Sequence, residues 1–381
     1  MGVRYLNNLI GDKCKAALAL RGLAEYTDKT IVVDTSIYMY EFLGENALME
    51  RMYLMMSLFK LHNITPIFVF DGAAPQEKQH TLRDRESNRK CAELNYVHAS
   101  AKLTNLRQQL QITNPTHTVT QVAGELSDAG NAGDAGNAGD AGNAGDAGNA
   151  GEIISSMETT ICELRKQCVR VRGCELLDVK RLMRAFDMRY IEADGESDNM
   201  CAQIVKMGLA HACMSNDMDL LLYGCPRVLR HFNIDRETVI EYELSQILSI
   251  LDVSICEFRE ICILSGTDYN PHNFEPGIRH RIYLSNIFER YYRFRKSTDY
   301  GIRTFYEWMK NICWLFRGID VQALQRVRDI FSVDLTNDQS ENIGGVLQKC
   351  SKMASTAAVA EAFESPARVK KIMAQYNFIY I

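Results

Sequence analysis

Seven carboxylates stand at positions where a folded chain could gather them. Asp34 closes the β-branched run Ile31-Val32-Val33, and Asp71 closes Pro66-Ile67-Phe68-Val69-Phe70. Asp217 and Asp219 follow a strand-like run at 210–214, and side chains two apart on extended backbone point the same way. Glu196 and Asp198 open a segment of helical pattern, where the positive end of a helix tolerates negative charge. Asp268 sits in Ser265-Gly266-Thr267-Asp268-Tyr269, just after the apolar helical stretch 258–264. Taken singly, an aspartate after a strand is most often a turn or cap residue. Brought together, these groups would raise one another's pKa and could not all stay ionised unaided. Hard divalent cations relieve that repulsion, because oxygen ligands suit magnesium or manganese. Two such ions about 3.5–4 Å apart clamp a phosphodiester, one preparing the attacking hydroxide and the other stabilising the leaving oxygen.

Those residues need a scaffold that ends several strands at one edge. Strands are predicted at 31–33, 66–70, 188–191, 210–214, 228–232 and 239–242, with helical stretches over 37–61, 78–110 and 196–207. Apolar runs alternating with helices indicate an α/β fold, a mostly parallel sheet with helices on both faces. In such a sheet the ligand crevice lies outside the carboxyl ends of the strands. From Leu244 onward the pattern is chiefly helical. Residues 128–151 repeat Asp-Ala-Gly-Asn-Ala-Gly with no large apolar side chain, which predicts a disordered insertion or flexible loop. The expected organisation is a first part at 1–95, a helical insertion at 96–180, a second part at 181–270 and a helical portion at 271–381.

Composition sets outer limits. The 381 residues are 46% hydrophobic and 24% charged, as in a soluble globular protein able to bury a sizeable core. The net charge of −5 speaks against nucleic acid only if charge is spread evenly, and it is not: 78–90, 165–189 and 279–296 are basic. Twelve cysteines lack zinc-finger spacing and read as small buried hydrophobes in a reducing compartment. There is no apolar leader, and Met52 to Phe59 is too short to span a membrane, so a soluble intracellular protein is expected.

The ordered set of acidic segments closely resembles the flap endonuclease, XPG-like family of structure-specific 5′ nucleases. The matching segments are Val33-Asp34-Thr35-Ser36, Phe68-Val69-Phe70-Asp71-Gly72, Glu192-Ala193-Asp194-Gly195-Glu196-Ser197-Asp198, Asn216-Asp217-Met218-Asp219 and Leu264-Ser265-Gly266-Thr267-Asp268-Tyr269. Cys201-Ala202, Val205-Lys206 and Leu229-Arg230-His231 match as well, and the resemblance covers roughly 1–95 and 170–270. It implies a PIN-like 5′-nuclease fold and an enzyme that hydrolyses phosphodiesters at 5′ flaps or single-strand/duplex junctions during replication, repair or recombination. It implies that Asp34, Asp71, Glu196, Asp198, Asp217, Asp219 and Asp268 hold two Mg2+ ions, for which Mn2+ can substitute. Asp198 stands where the family has a glutamate. Lys78 and Arg85 fall at the family's catalytic basic pair; alone, they would read as a solvated helix face. Seven residues apart, they share one face of a helix and could neutralise the attacked phosphate.

The resemblance also implies that Tyr40 stacks on a base, that Gly2 lies near the site, and that the helical stretch after Lys90 is an arch for a single-stranded 5′ end. After Asp268 the chain departs from the family. Of the family's duplex-binding loop only Gly277-Ile278 remains in the segment 270–278. Arg279 and Arg281, with Arg290, Arg293 and Arg295, are candidate phosphate contacts, although the interleaved Tyr291, Tyr292 and Phe294 fit an amphipathic core helix equally well. The expected partner is branched or flapped DNA, bound by a monomer, in the nucleus or wherever DNA is replicated. No sliding-clamp peptide and no lysine-rich nuclear signal are evident, which would suit a large DNA virus. A 5′ exonuclease, a Holliday-junction resolvase and an inactive nucleic-acid-binding scaffold are the alternatives. A haloacid-dehalogenase-like phosphatase would need a second Asp where Ser36 stands.

Overall fold

The computed structural model describes residues 2–113, 144–270, 283–332, 345 and 365–376. They fall into two compact units, Met1–Arg85 with Arg170–Ile381, and Glu86–Val169. Compactness thus divides the chain at 85 and 169, and residues 244–376 share a unit with the strands.

The first unit is built on seven strands: β1 (Leu18–Gly22), β2 (Thr30–Asp34), β3 (Thr65–Phe70), β4 (Arg189–Glu192), β5 (Ala212–Met214), β6 (Arg227–Asn233) and β7 (Thr238–Glu243). Their order in the sheet is β1-β7-β6-β5-β2-β3-β4. The five from β6 to β4 run parallel, and β7 and β1 add an antiparallel margin. β1 escapes sequence reading because its side chains are half-buried or exposed and show no apolar alternation. Along β2 and β3 successive residues face opposite cores: Val32, Ile67 and Val69 on one side, Ile31, Val33, Phe68 and Phe70 on the other. Both faces are covered, which is why these strands read as unbroken apolar runs.

One core lies beneath α2 (Thr35–Gly44), α3 (Leu48–Leu61) and α6 (Gly173–Ala185). The helical stretch expected over 37–61 is broken here at Glu45-Asn46-Ala47, where Asn46 adopts φ +61°, a left-handed conformation that asparagine tolerates. The other core lies beneath α1 (Leu6–Lys13), α7 (Ser197–Lys206), α8 (Asp219–Leu222), α9 (Leu244–Ile250) and α10 (Ile255–Ser265). It is completed by α11 (Leu284–Arg295), α12 (Phe305–Ile312) and α13 (Val321–Ser332), so the C-terminal helices are part of the core. On α11, Tyr291 and Phe294 are buried and Arg295 donates to the Asp252 carbonyl at 2.7 Å, the pattern of a core-packing helix. A last helix, α14 (Ser365–Ala374), buries Val369 and Met373 in the core under α6.

Two long helices run through the second unit, the distal part of α4 (Gln79–Thr113) and α5 (Ala144–Gln167). Arg107 on α4 pairs with Glu158 on α5. The end of the Asp-Ala-Gly-Asn-Ala-Gly repeat departs from the loop expected of it: residues 144–151 form the first turns of α5. Alanine is the strongest helix former, and the helical segment that follows supplies the nucleus. Residues 128–143 of the repeat lie outside the described residues.

Buried cysteines (Cys14, Cys201, Cys213, Cys225, Cys262, Cys313) match the expectation of small hydrophobes, but Cys91, Cys162, Cys174 and Cys256 are exposed. Among the described residues no helix is long and apolar enough to cross a membrane.

Candidate active site

Strand register brings the acidic residues to one edge. Asp34 pairs with Val69 and Val33 with Met214, so β2, β3 and β5 end together. Phe70 pairs with Glu192, which brings the end of β4 alongside. Asp71, Glu196 and the loop 215–219 therefore leave the sheet at its carboxyl edge, beside Asp34. The close approach of two loops there requires Gly72: its N–H donates to the Gly195 carbonyl at 2.7 Å, and a β-carbon on it would lie 1.9 Å from the Ala193 carbonyl oxygen.

Serines tie the carboxylates to one another. Ser197 Oγ lies 2.7 Å from Asp71 Oδ1 and 3.0 Å from Asp34 Oδ1, and Ser197 N–H donates to Asp71 Oδ1 at 2.9 Å. Ser215 Oγ donates to Asp34 Oδ2 at 2.8 Å and accepts from Asp217 N–H at 3.1 Å. Asp219 N–H donates to Asp217 Oδ1 at 3.0 Å. Asp268 comes from the loop after α10, which is braced where Asn270 accepts from Thr267 N–H at 2.8 Å and donates to the Ile263 carbonyl at 2.7 Å. Arg4 N–H donates to the Gly266 carbonyl at 3.1 Å and fixes the N-terminal segment to the same loop.

Burial varies across the cluster: Asp71 is exposed, and Glu196 and Asp268 are half-buried. Asp34, Asp198, Asp217 and Asp219 are each less than a tenth exposed. Burial, then the charges of Asp71 and Asp217, pushes Asp34 up to about 7. Burial, then Asp217, Asp34 and Asp219, pushes Asp198 well above the carboxylate range. Burial, then Asp217 and Asp268, with Glu196 adding to them, does the same for Asp219. The charges of Asp34, Asp71, Glu196, Asp217, Asp219 and Asp268 thus bear on the three raised groups, Asp34, Asp198 and Asp219.

Basic partners meet the cluster from α4 and the 3₁₀ turn before it. Lys78, buried, pairs with Glu196 and lies 3.8 Å from Asp268 Oδ2; Arg85, more exposed, pairs with Asp268. Burial alone would lower the Lys78 ammonium, but the Glu196 and Asp268 carboxylates outweigh it and hold the group above the usual lysine range. Thr81 between them donates its hydroxyl to the Asp268 carbonyl. Tyr40 stands half-exposed on α2, one helix turn and a half beyond Asp34. Arg279 and Arg281 lie outside the described residues.

Divalent cations suit this donor set. Asp198 Oδ1 and Asp219 Oδ1 are buried without a hydrogen-bond partner, a costly state that a cation relieves. Among the described residues, however, no three acidic, His or Cys side chains stand close enough to hold an ion as they are placed. Ser197 bridges Asp34 and Asp71, and Lys78 occupies the Glu196 carboxylate.

The serines and Tyr269 were not singled out from the sequence. Ser215-x-Asp217-x-Asp219 carries the one available signal, a period of two that continues the strand's inward face. Nothing in the sequence shows that the hydroxyl of Tyr269 reaches Glu196.

Comparison with known proteins agrees with the geometry. Residues 1–92 match the XPG N-terminal domain, and residues 187–268 match the XPG I-region. A probable RAD2-like endonuclease, 369L, of Invertebrate iridescent virus 6 is 24% identical over 300 residues, 73% of this chain and 69% of the viral protein. Flap endonuclease 1 of Encephalitozoon cuniculi is 26% identical over 287 residues, 71% of this chain and 68% of that protein. The solved structure of human GEN1 in complex with Holliday junction DNA shares the fold, with a TM-score of 0.52 at 16% identity over 87% of this chain and 67% of that one. The matched XPG N-terminal domain and XPG I-region together carry all seven carboxylates, and over those residues the chain resembles the flap endonuclease, XPG-like nucleases.

Proposed function

We propose that the chain is a structure-specific DNA endonuclease that cuts 5′ flaps or single-strand/duplex junctions by two-metal-ion catalysis. The observation that carries this reading is the convergence of seven carboxylates from five segments beside a buried lysine. Asp34, Asp71, Glu196, Asp198, Asp217, Asp219 and Asp268 would hold two Mg2+ ions, or Mn2+, once their side chains turn inward. Ions held there supply Lewis-acid polarisation of the phosphodiester and a water acidic enough to attack near neutral pH.

The chain's own groups do the rest. Lys78 and Arg85 exchange their carboxylate partners for the scissile phosphate and offset the charge that grows on it during attack. Lys78, the more enclosed of the two, bears on the chemical step; Arg85, at the rim, bears also on capture of the strand. Tyr40 offers an exposed ring on which a base beside the cut can stack. Ser197 and Ser215 hold Asp34 and Asp71 in register before DNA arrives. The partner is branched or flapped DNA, met where DNA is replicated or repaired.

The test is cleavage of end-labelled flap, nicked, four-way-junction and single-stranded DNA, with and without magnesium. Cutting confined to flaps and junctions, and absent in EDTA, is expected. Asp217→Ala combined with Asp219→Ala should abolish cutting while binding persists. Undiminished cutting by that double variant would refute the assignment of the ions to these carboxylates.

A further inference from the structure

Two tyrosines stand behind Glu196 and take no part in the chemistry described above. Tyr269 donates its hydroxyl to Glu196 Oε2, and Tyr223 OH lies 2.6 Å from Tyr269 OH. Both side chains are buried, at 7% and 2% exposure. Tyr269 has a single hydroxyl proton, and Glu196 as a carboxylate can only accept it. The Tyr223 hydroxyl therefore donates into Tyr269, and the chain of donors runs Tyr223 to Tyr269 to Glu196. Phe331 of α13 packs against both rings, its centroid 4.8 Å from Tyr223 and 5.3 Å from Tyr269. The opposite oxygen, Glu196 Oε1, is turned to a cation, here the Lys78 ammonium, which also lies 5.7 Å from the Tyr269 ring centre.

We propose that the Tyr223–Tyr269 hydroxyl chain positions Glu196 as a one-oxygen ligand for a divalent cation. With Oε2 held from behind, the plane of the carboxylate is fixed and only Oε1 faces the site. A ligand that occupies one coordination position leaves the others for water and phosphate, which magnesium needs. Loss of a partner that orients a ligand in this way typically costs about 10–100-fold in metal affinity or activity. The tyrosines touch neither ion nor DNA and act only through Glu196. The inference rests on the two-ion reading of the site and adds how one ligand is set.

The test is calorimetric titration of the DNA-free full chain with Mn2+, alongside cleavage rates across a Mg2+ series. Tyr269→Phe keeps the ring against Lys78 and removes only the hydroxyl; Tyr223→Phe removes the outer donor; Glu196→Gln is the control. Tyr269→Phe should weaken Mn2+ binding about tenfold and raise the Mg2+ half-saturation by a similar factor, while the rate at saturating metal stays within about twofold. Tyr223→Phe should shift both in the same direction by less, with melting curves showing each variant folded. Tyr269→Phe binding Mn2+ as tightly as the wild type would overturn the proposal, as would a lowered saturating rate at unchanged affinity. A wild-type chain that binds no Mn2+, or Glu196→Gln binding it undiminished, would instead remove the two-ion reading and the proposal with it.

Discussion

Gly2 stands against Asp217: a β-carbon built on it would come 2.4 Å from Asp217 Oδ1 and 2.6 Å from Asp219 Oδ1. Its φ of +86° is one that L side chains rarely adopt. Gly2→Ala should therefore press on both carboxylates and strain the backbone by about 1–2 kcal/mol. We expect cleavage to fall by about tenfold or more through misplaced ligands, with a melting point lowered by only a few degrees. Single-turnover rates that match the wild type would show that the N-terminal segment does not bear on the site.

Lys78 and Arg85 should separate in their effects. Lys78→Ala removes the buried cation and is expected to slow single-turnover cleavage by roughly 100-fold or more, with flap affinity changed only a few-fold. Arg85→Ala, at the rim, should weaken binding and slow cutting together. The measurement is rate against affinity for each variant on one 5′-flap substrate. A Lys78→Ala variant that binds poorly yet cuts at the wild-type rate when saturated would make Lys78 an ordinary phosphate contact.

Metal and pH should trade places in stabilising the fold. Asp34 is held up to about 7, against 3.8 for an ordinary aspartate, so the folded chain keeps this proton more tightly than the unfolded one. That contribution is complete below about pH 4 and fades as pH rises through about 7. Asp198 and Asp219, raised in the same direction by burial and by their neighbours, act with the same sign. In EDTA the melting temperature should decline from pH 5 to pH 8. Magnesium should cancel or reverse the decline, because a cation replaces the protons and binds more tightly as they leave. Thermal melts across that range, with and without the metal, decide it; a curve in EDTA that rises toward pH 8 would contradict the burial of this cluster.

Gly72 carries a structural prediction. The atom its β-carbon would strike at 1.9 Å is a backbone carbonyl, which cannot swing aside as a side chain would. Gly72→Ala must push apart the loops that carry Asp71 and Glu196, at a cost of roughly 2–4 kcal/mol. Denaturant unfolding would register the loss, and cutting should fall with it. Wild-type stability in this variant would mean that the two loops are not packed as described.

Asp268, in the loop after α10, has no periodic signal, whereas Asp34 and Asp71 were legible in the sequence because each closes a strand, and Glu196 and Asp198 because they open a helix. The parallel strands were legible for the same reason, since burial on both faces leaves runs such as Ile31-Val32-Val33 almost free of polar residues. β1 was not, because its register with β7 is set by tertiary pairing and its side chains lie half in solvent. The break at Asn46 turns on a backbone angle that no apolar pattern records. Ser197, Ser215 and Tyr269 are common residue types whose roles come from partners far along the chain, 126, 181 and 73 residues away respectively. The part played by Phe331 depends on helices whose amphipathic pattern reveals an inward face without saying what it meets.

β2 lies between a neighbour close in sequence, β3, and one that follows only after the whole of residues 86–169. During synthesis the first can dock early, but Val33 must wait for Met214, and Asp34 and Asp71 wait with it for Asp217 and Asp219. Any shorter product, whether a nascent chain or a proteolytic stub ending before that strand, holds at most four of the seven carboxylates and lacks Asp217, Asp219 and Asp268. Strand order thereby acts as an interlock: the polypeptide carries no finished blade until it is long enough to sheathe one.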